Sequence, residues 1–201
     1  MIRVTRTAVV LTAAAVTGLG LSACGGGSMP GMDHGNNQPS IPASAGFNAA
    51  DVQFAQMMIP HHAQAIEMAD LAATRANDPE LKALAAQIKA AQQPEIDTMN
   101  GWLKEWGQPS AQPGGHNMPS MGPSMPGMMS EEDMNKLKAA SGADFDRQFT
   151  RMMIAHHNGA IQMARDATRN GSNPAVIQLA IAIEQAQTSE VAQLQKILDR
   201  L

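Results

Sequence analysis

Sliding the chain along itself by 95 residues superposes DVQFAQMMIPHHAQAIEMA (Asp51 to Ala69) on DRQFTRMMIAHHNGAIQMA (Asp146 to Ala164) without a gap. The register holds further on: Pro79 falls on Pro174, Leu84 on Leu179, Ile88 on Ile183, Gln92 on Gln187 and Glu95 on Glu190. An ungapped duplication of about fifty residues is two copies of one supersecondary unit, so the architecture of one predicts that of the other.

Within the first copy, Asp51, Phe54, Met58, His61, Ala65, Met68 and Ala72 recur at alternating spacings of three and four, which is one seam of a helix. Ile59, His62, Ile66, Ala69 and Ala73 form a second row beside it. Asn77, Asp78 and Pro79 then end one helix and begin another, with Asp78 as N-cap and Pro79 at the first position. Leu81, Leu84, Ile88, Ala91, Glu95, Met99 and Trp102 carry the helical spacing to about Trp106. The second copy repeats the plan, with Asn173 and Pro174 at the turn and Val176 to Leu201 returning. Two antiparallel helix pairs close into an all-α four-helix bundle with internal pseudo-two-fold symmetry.

The duplicated body is expected over residues 47–201, with one repeat at about 48–106, a Met-rich linker at 107–130 and the second repeat at about 143–201. The linker and the stretch from Gly25 to Gly46 are rich in Gly, Pro, Ser and Asn without usable periodicity, and both read as flexible. Both also carry Met and His: MPGMDHG at Met29 to Gly35, with Met32 and His34, and HNMPSMGPSMPGMM at His116 to Met129, with Met118, Met121, Met125 and Met128. Ahead of them, Arg3 and Arg6 precede a short apolar run from Ala8 to Leu21 and the tetrapeptide LSAC ending at Cys24. The run is too short for a mature membrane span. It resembles a bacterial lipoprotein signal over residues 1–23, which implies cleavage before Cys24, a lipid anchor on that residue and a tether over 24–46 outside the cytoplasm.

Eighteen acidic side chains against fourteen basic ones, with only 3 % aromatic residues, leave neither the basic stripe nor the stacking platforms of nucleic-acid binding. One cysteine excludes a disulfide framework and any multi-thiolate metal site. The chemistry must therefore use nitrogen, oxygen or thioether.

Apolar seams do not ordinarily hold adjacent histidines, because burying an unpaired polar group costs about 2–7 kcal/mol. Here His61–His62 and His156–His157 both do so, among Met57, Met58 and Met68 in one copy and Met152, Met153 and Met163 in the other. On one helix face, Met58 and Met68 lie one and two turns from His61. The returning helices bring Gln92 and Glu95 level with His61, and Gln187 and Glu190 level with His156. A carboxylate or amide there can accept the second ring N–H of a metal-bound histidine, or bind metal itself. A His–Glu hydrogen bond would also satisfy both groups without metal, and Met is an ordinary core filler. The Met- and His-rich arms have no core to fill, however. Thioethers are soft and favour Cu(I), imidazole accepts copper and zinc alike, and zinc alone would not call for the methionines.

The doubled Met-Met-Ile-x-His-His signature is similar to that of the "domain of unknown function 305" family of secreted bacterial proteins, over about Phe47 to Leu201. The resemblance implies a ferritin-like four-helix bundle and, in some members, copper binding in the cell envelope that contributes to copper tolerance. It implicates Met57, Met58, His61, His62 and Met68, and Met152, Met153, His156, His157 and Met163, with Asp51 and Asp146 matching the pattern at the helix starts. The expectation is thus a non-enzymatic, lipid-anchored protein that sequesters Cu(I) or hands it to a copper-transport partner protein. Glu95, Glu190, Asp51 and Asp146 are supporting or alternative ligands, and Met29, Met32, His34, His116, Met118, Met121, Met125, Met128 and Met129 are weak exchangeable ones. Two rivals stand beside it: a ferritin-like metalloenzyme with redox activity, and a metal-free partner-binding bundle.

Overall fold

The computed structural model describes residues 41–42, 45–110 and 125–201. The signal segment, Cys24, Met29, Met32, His34, His116, Met118 and Met121 lie outside them. The described residues form five helices: α1 (Ala49–Arg75), α2 (Pro79–Glu105), α3 (Glu131–Ala139), α4 (Gly142–Asn170) and α5 (Pro174–Arg200). Four of these are the predicted bundle helices. Their boundaries follow from the local chemistry. Asn48 and Asp51 make a capping box at the start of α1, Asp78 caps α2 through the Leu81 amide, and Asn173 caps α5, each of the last two ahead of a proline in the first turn.

The extra helix, α3, is nine residues long and starts at a Ser130–Asp133 capping box. It escapes a periodicity reading because it buries only Met134 and Leu137. The six residues before it also depart from the flexible linker expected there. The Gln64 amide nitrogen donates to the Met129 carbonyl (2.9 Å), its oxygen accepts from the Met129 amide (2.7 Å), and the Pro126 carbonyl lies 3.0 Å from His61 Nε2. Residues 125–130 are therefore a strap seated on α1 and α4.

α1 pairs with α2 and α4 with α5, and the two hairpins meet chiefly through α1 against α4, with a slighter contact of α2 with α5. α1 and α4 run antiparallel, so each hairpin's start lies at the other's turn. Two aspartates near the starts of α1 and α4 lock this arrangement. Asp51, fully buried, accepts from the Ser172 and Asn173 amides (3.2 and 3.1 Å) and from the Ser172 hydroxyl (3.1 Å). Asp146 accepts from the Asn77 and Asp78 amides (2.9 and 3.0 Å). Each repeat thus clasps the inter-helix turn of the other.

The apolar interior is divided in two. One core gathers Met68, Leu81, Leu84, Ile88, Phe145, Phe149 and Met153 with Met134 and Leu137 of α3. The other gathers Phe54, Met58, Ile59, Met99, Leu103, Met163 and Ile183. In every long helix, a polar pair lies between the two sets: His61 and His62, Gln92 and Glu95, His156 and His157, Gln187 and Glu190.

A hydrogen bond to a charged acceptor contributes about 1.5–3 kcal/mol, and its loss strands a buried amide. Replacing Asp146 by Ala is therefore expected to lower unfolding stability by about 3 kcal/mol, and Asp51→Ala by a similar amount, read from urea-unfolding midpoints at constant m-value.

Candidate metal centre

The repeat places the four histidines where the two central helices cross the middle of the bundle. All are at most 1 % exposed. His61 and His156, equivalent under the duplication, face each other with ring centroids 3.7 Å apart and planes tilted by 35°. His62 and His157 turn instead to the outer helices. His62 Nε2 lies 2.7 Å from Glu95 Oε2, and His157 Nε2 lies 2.7 Å from Glu190 Oε2.

These contacts set the tautomers. A carboxylate or a peptide carbonyl only accepts, so His62, His157 and His61 carry a proton on Nε2, and in the neutral ring the Nδ1 lone pair is bare. The Nδ1 atoms of all four histidines, and Nε2 of His156, are buried without a hydrogen-bond partner among the described residues. Gln92 Nε2 and Oε1 and Gln187 Oε1 are likewise unpartnered. A buried polar atom left unmatched costs about 1–3 kcal/mol, and this layer holds eight. Such a layer has the donor chemistry of a ligand site: imidazole lone pairs in a buried interior, with each outer ring oriented by a carboxylate through its far nitrogen.

Burial pushes the His61 ring down to about 3, with His62 adding to the effect and the Pro126 carbonyl opposing it. Burial also holds His156 well below the usual histidine range, aided by His61 and His157. Both inner rings are therefore neutral and able to ligate at neutral pH.

The thioethers occupy the flanks. Met58 and Met163 belong to one apolar core and Met68 and Met153 to the other, with Met57 and Met152 half-buried against them. Met129 packs on the second of these cores, and Met125 and Met128 are half-buried in the strap. Asp51 and Asp146 stand apart. Their carboxylates are engaged by the turns, ten residues from His61 and His156 and about 15 Å away along the helix. Among the described residues no three His, Cys, Asp or Glu side chains close into a chelating group.

The strap crosses directly at the inner pair. Gly159 makes room for it: a Cβ there would lie 2.0 Å from the Pro126 carbonyl oxygen, and one on Gly127 would lie 2.6 Å from the Ala155 carbonyl oxygen. The residue equivalent to Gly159 in the first repeat is Gln64, the side chain that grips Met129. Pro126, Gly127, Gly159 and Gln64 were not singled out by the sequence reading. Their signal was the mismatch HHAQA against HHNGA inside an otherwise closely matched repeat.

The sequence model described as "Domain of unknown function (DUF305)" matches residues 51–198. The chain belongs to the DUF305 family. Among solved DUF305-like structures, a putative secreted protein DUF305 from Streptomyces coelicolor is 31 % identical with a TM-score of 0.68, over 75 % of this chain and 93 % of that one. CopM, described in a Cu(I)-bound form and in a Cu(II)-bound form, is 33 % identical with a TM-score of 0.62, over 75 % of this chain and 96 % of CopM. The uncharacterized protein L153 of Acanthamoeba polyphaga mimivirus is 46 % identical over 55 residues, and the chain spans 36 % of its length. The all-α bundle is thus the architecture that DUF305 proteins share with this chain.

The depressed inner histidines give stability a pH dependence with a definite sign. Below pH 6.5 the unfolded rings take up protons that native His61 and His156 refuse, so the unfolded state gains and stability falls as pH drops toward about 3. His61 contributes about 1 kcal/mol per pH unit over that window, and His156 adds in the same direction. Urea midpoints of the metal-free protein are expected to decline between pH 7 and pH 5, and the double variant His61→Gln, His156→Gln to decline less steeply.

Proposed function

We propose that this DUF305 protein binds copper as Cu(I) in an extracytoplasmic compartment, holding it or handing it on to a copper-transport partner, without a catalytic cycle. The observation that carries the reading is the polar layer: four buried histidines whose Nδ1 lone pairs have no partner among the described residues, lying between two cores that supply thioethers. The tight site uses His61, His62, His156 and His157 with methionines from Met57, Met58, Met68, Met152, Met153 and Met163. Glu95 and Glu190 orient the outer rings. Thioether and neutral imidazole together favour a soft monovalent ion over Zn(II).

Support from relatives points the same way. CopM, of the same fold and a third identical, is described with Cu(I), with Cu(II) and with Ag bound. The Streptomyces coelicolor relative is described as secreted. The Met- and His-bearing arms, at Met29, Met32 and His34 and at His116, Met118, Met121, Met125, Met128 and Met129, supply weaker exchangeable ligands whose tethering raises local capture. Cys24 carries the lipid that holds the protein to the cell envelope.

Competition titration of the mature protein against a Cu(I) chelator is expected to show Cu(I) bound more tightly than Zn(II). Replacing His61, His62, His156 and His157 by Ala should abolish the tight class while circular dichroism still reports helix. Unchanged affinity and stoichiometry in that variant would overturn the reading. The anchor has its own test: Cys24→Ser is expected to move the protein from the detergent phase to the aqueous phase on Triton X-114 partitioning.

A further inference from the structure

The groove between α1 and α4 has two halves related by the duplication, and the chain treats them differently. On one half, α3 lies across the groove, and its Met134 and Leu137 share a core with Phe145, Phe149, Met68 and Ala72, against which Leu71 and Met152 also pack. On the other half the described residues place no such helix, and they leave a pocket of about 310 Å³. Its walls include Ala50, Phe54, Met57, Met163, Asp166 and Ala167. By the 95-residue offset these are the counterparts of Phe145, Phe149, Met152, Met68, Leu71 and Ala72 in the covered half. The covered half is closed by a bulky Phe145 and Leu71, where the open half has Ala50 and Asp166.

The pocket is also walled by Pro126, whose carbonyl receives the His61 Nε2–H. The strap is pinned unequally. Its Met129 end is held by both the nitrogen and the oxygen of the Gln64 amide and runs on into α3, whereas among the described residues its Pro126 end is held by the His61 contact and by close packing of Gly127 on α4. Pro126 thus stands between this pocket and His61, whose ring packs on His156, so displacing this end of the strap would open the pocket toward the inner pair.

We propose that this open half-groove is the way in for a soft monovalent cation to the inner histidine pair, with Met57 and Met163 as thioether ligands on the approach and the Pro126–Gly127 end of the strap as the gate. The route rests on the copper reading for its cargo, but it makes a claim about access that can be measured without metal.

Ala50→Phe places in the open half the ring that Phe145 provides in the covered half. It is expected to slow Cu(I) and Ag(I) uptake about tenfold in stopped-flow competition while leaving equilibrium affinity unchanged. It should also slow modification of His61 and His156 by diethyl pyrocarbonate, located by peptide mapping. Gly159→Ala, whose new methyl group meets the Pro126 carbonyl, should unseat the strap and speed both processes. If both rates in Ala50→Phe match those of the unaltered protein, the route is overturned. If Ala50→Phe does not fold, Gly159→Ala decides alone: unchanged rates there overturn the gate. If the unaltered protein binds neither Cu(I) nor Ag(I), the copper reading fails, and the diethyl pyrocarbonate rates still decide the access route.

Discussion

A layer of polar side chains across the middle of the bundle governs the rest of the structure. An all-apolar bundle of this size would have one continuous core and little to fix how its hairpins meet. Here the core is interrupted, and the interruption must coincide on four helices or each histidine and glutamate would face hydrocarbon. Register between α1 and α2 is held by His62 against Glu95, and between α4 and α5 by His157 against Glu190. Between α1 and α4 it is held at mid-height by the contact of the inner rings and at both ends by the exchanged aspartates. Helix ends and helix centres are thus specified separately, leaving the layer's spare lone pairs free of any structural duty.

Much of the fold was legible because duplication doubles every signal. The alternation of three and four from Asp51 to Ala72, and the Asp-Pro and Asn-Pro starts of α2 and α5, are local chemistry that survives into the structure unchanged. α3 was not legible, since nine residues with two buried side chains carry no measurable period, although Ser130 and Asp133 mark its start. The strap was obscured by composition: Gly and Pro in MPGMM read as loop chemistry, and only the opposing Gly159 shows that the backbone is needed in close contact.

The candidate site was readable in its residue types and not in its partition. Adjacent histidines on one helix point about 100° apart, so one of each pair meets its equivalent across the pseudo-axis and the other meets the returning helix. Sequence counting brings glutamates to the right level but does not distinguish the ring that uses them. The aspartates were misleading for a clear reason. A carboxylate near a helix start reads as a ligand or, for Asp51, as a cap, and the turn that claims it belongs to the other repeat, 121 residues away for Asp51 and Ser172.

Gly159 and Gln64 occupy the same place in the two repeats and do opposite things, one yielding space and the other gripping a peptide group. Two identical subunits associating as a homodimer could never make that distinction, since whatever residue stood there would stand there twice. Two repeats within one polypeptide are free of that constraint. A segment crossing between the repeats then has no need of a symmetry-related counterpart, so the two faces of a duplicated bundle are free to differ.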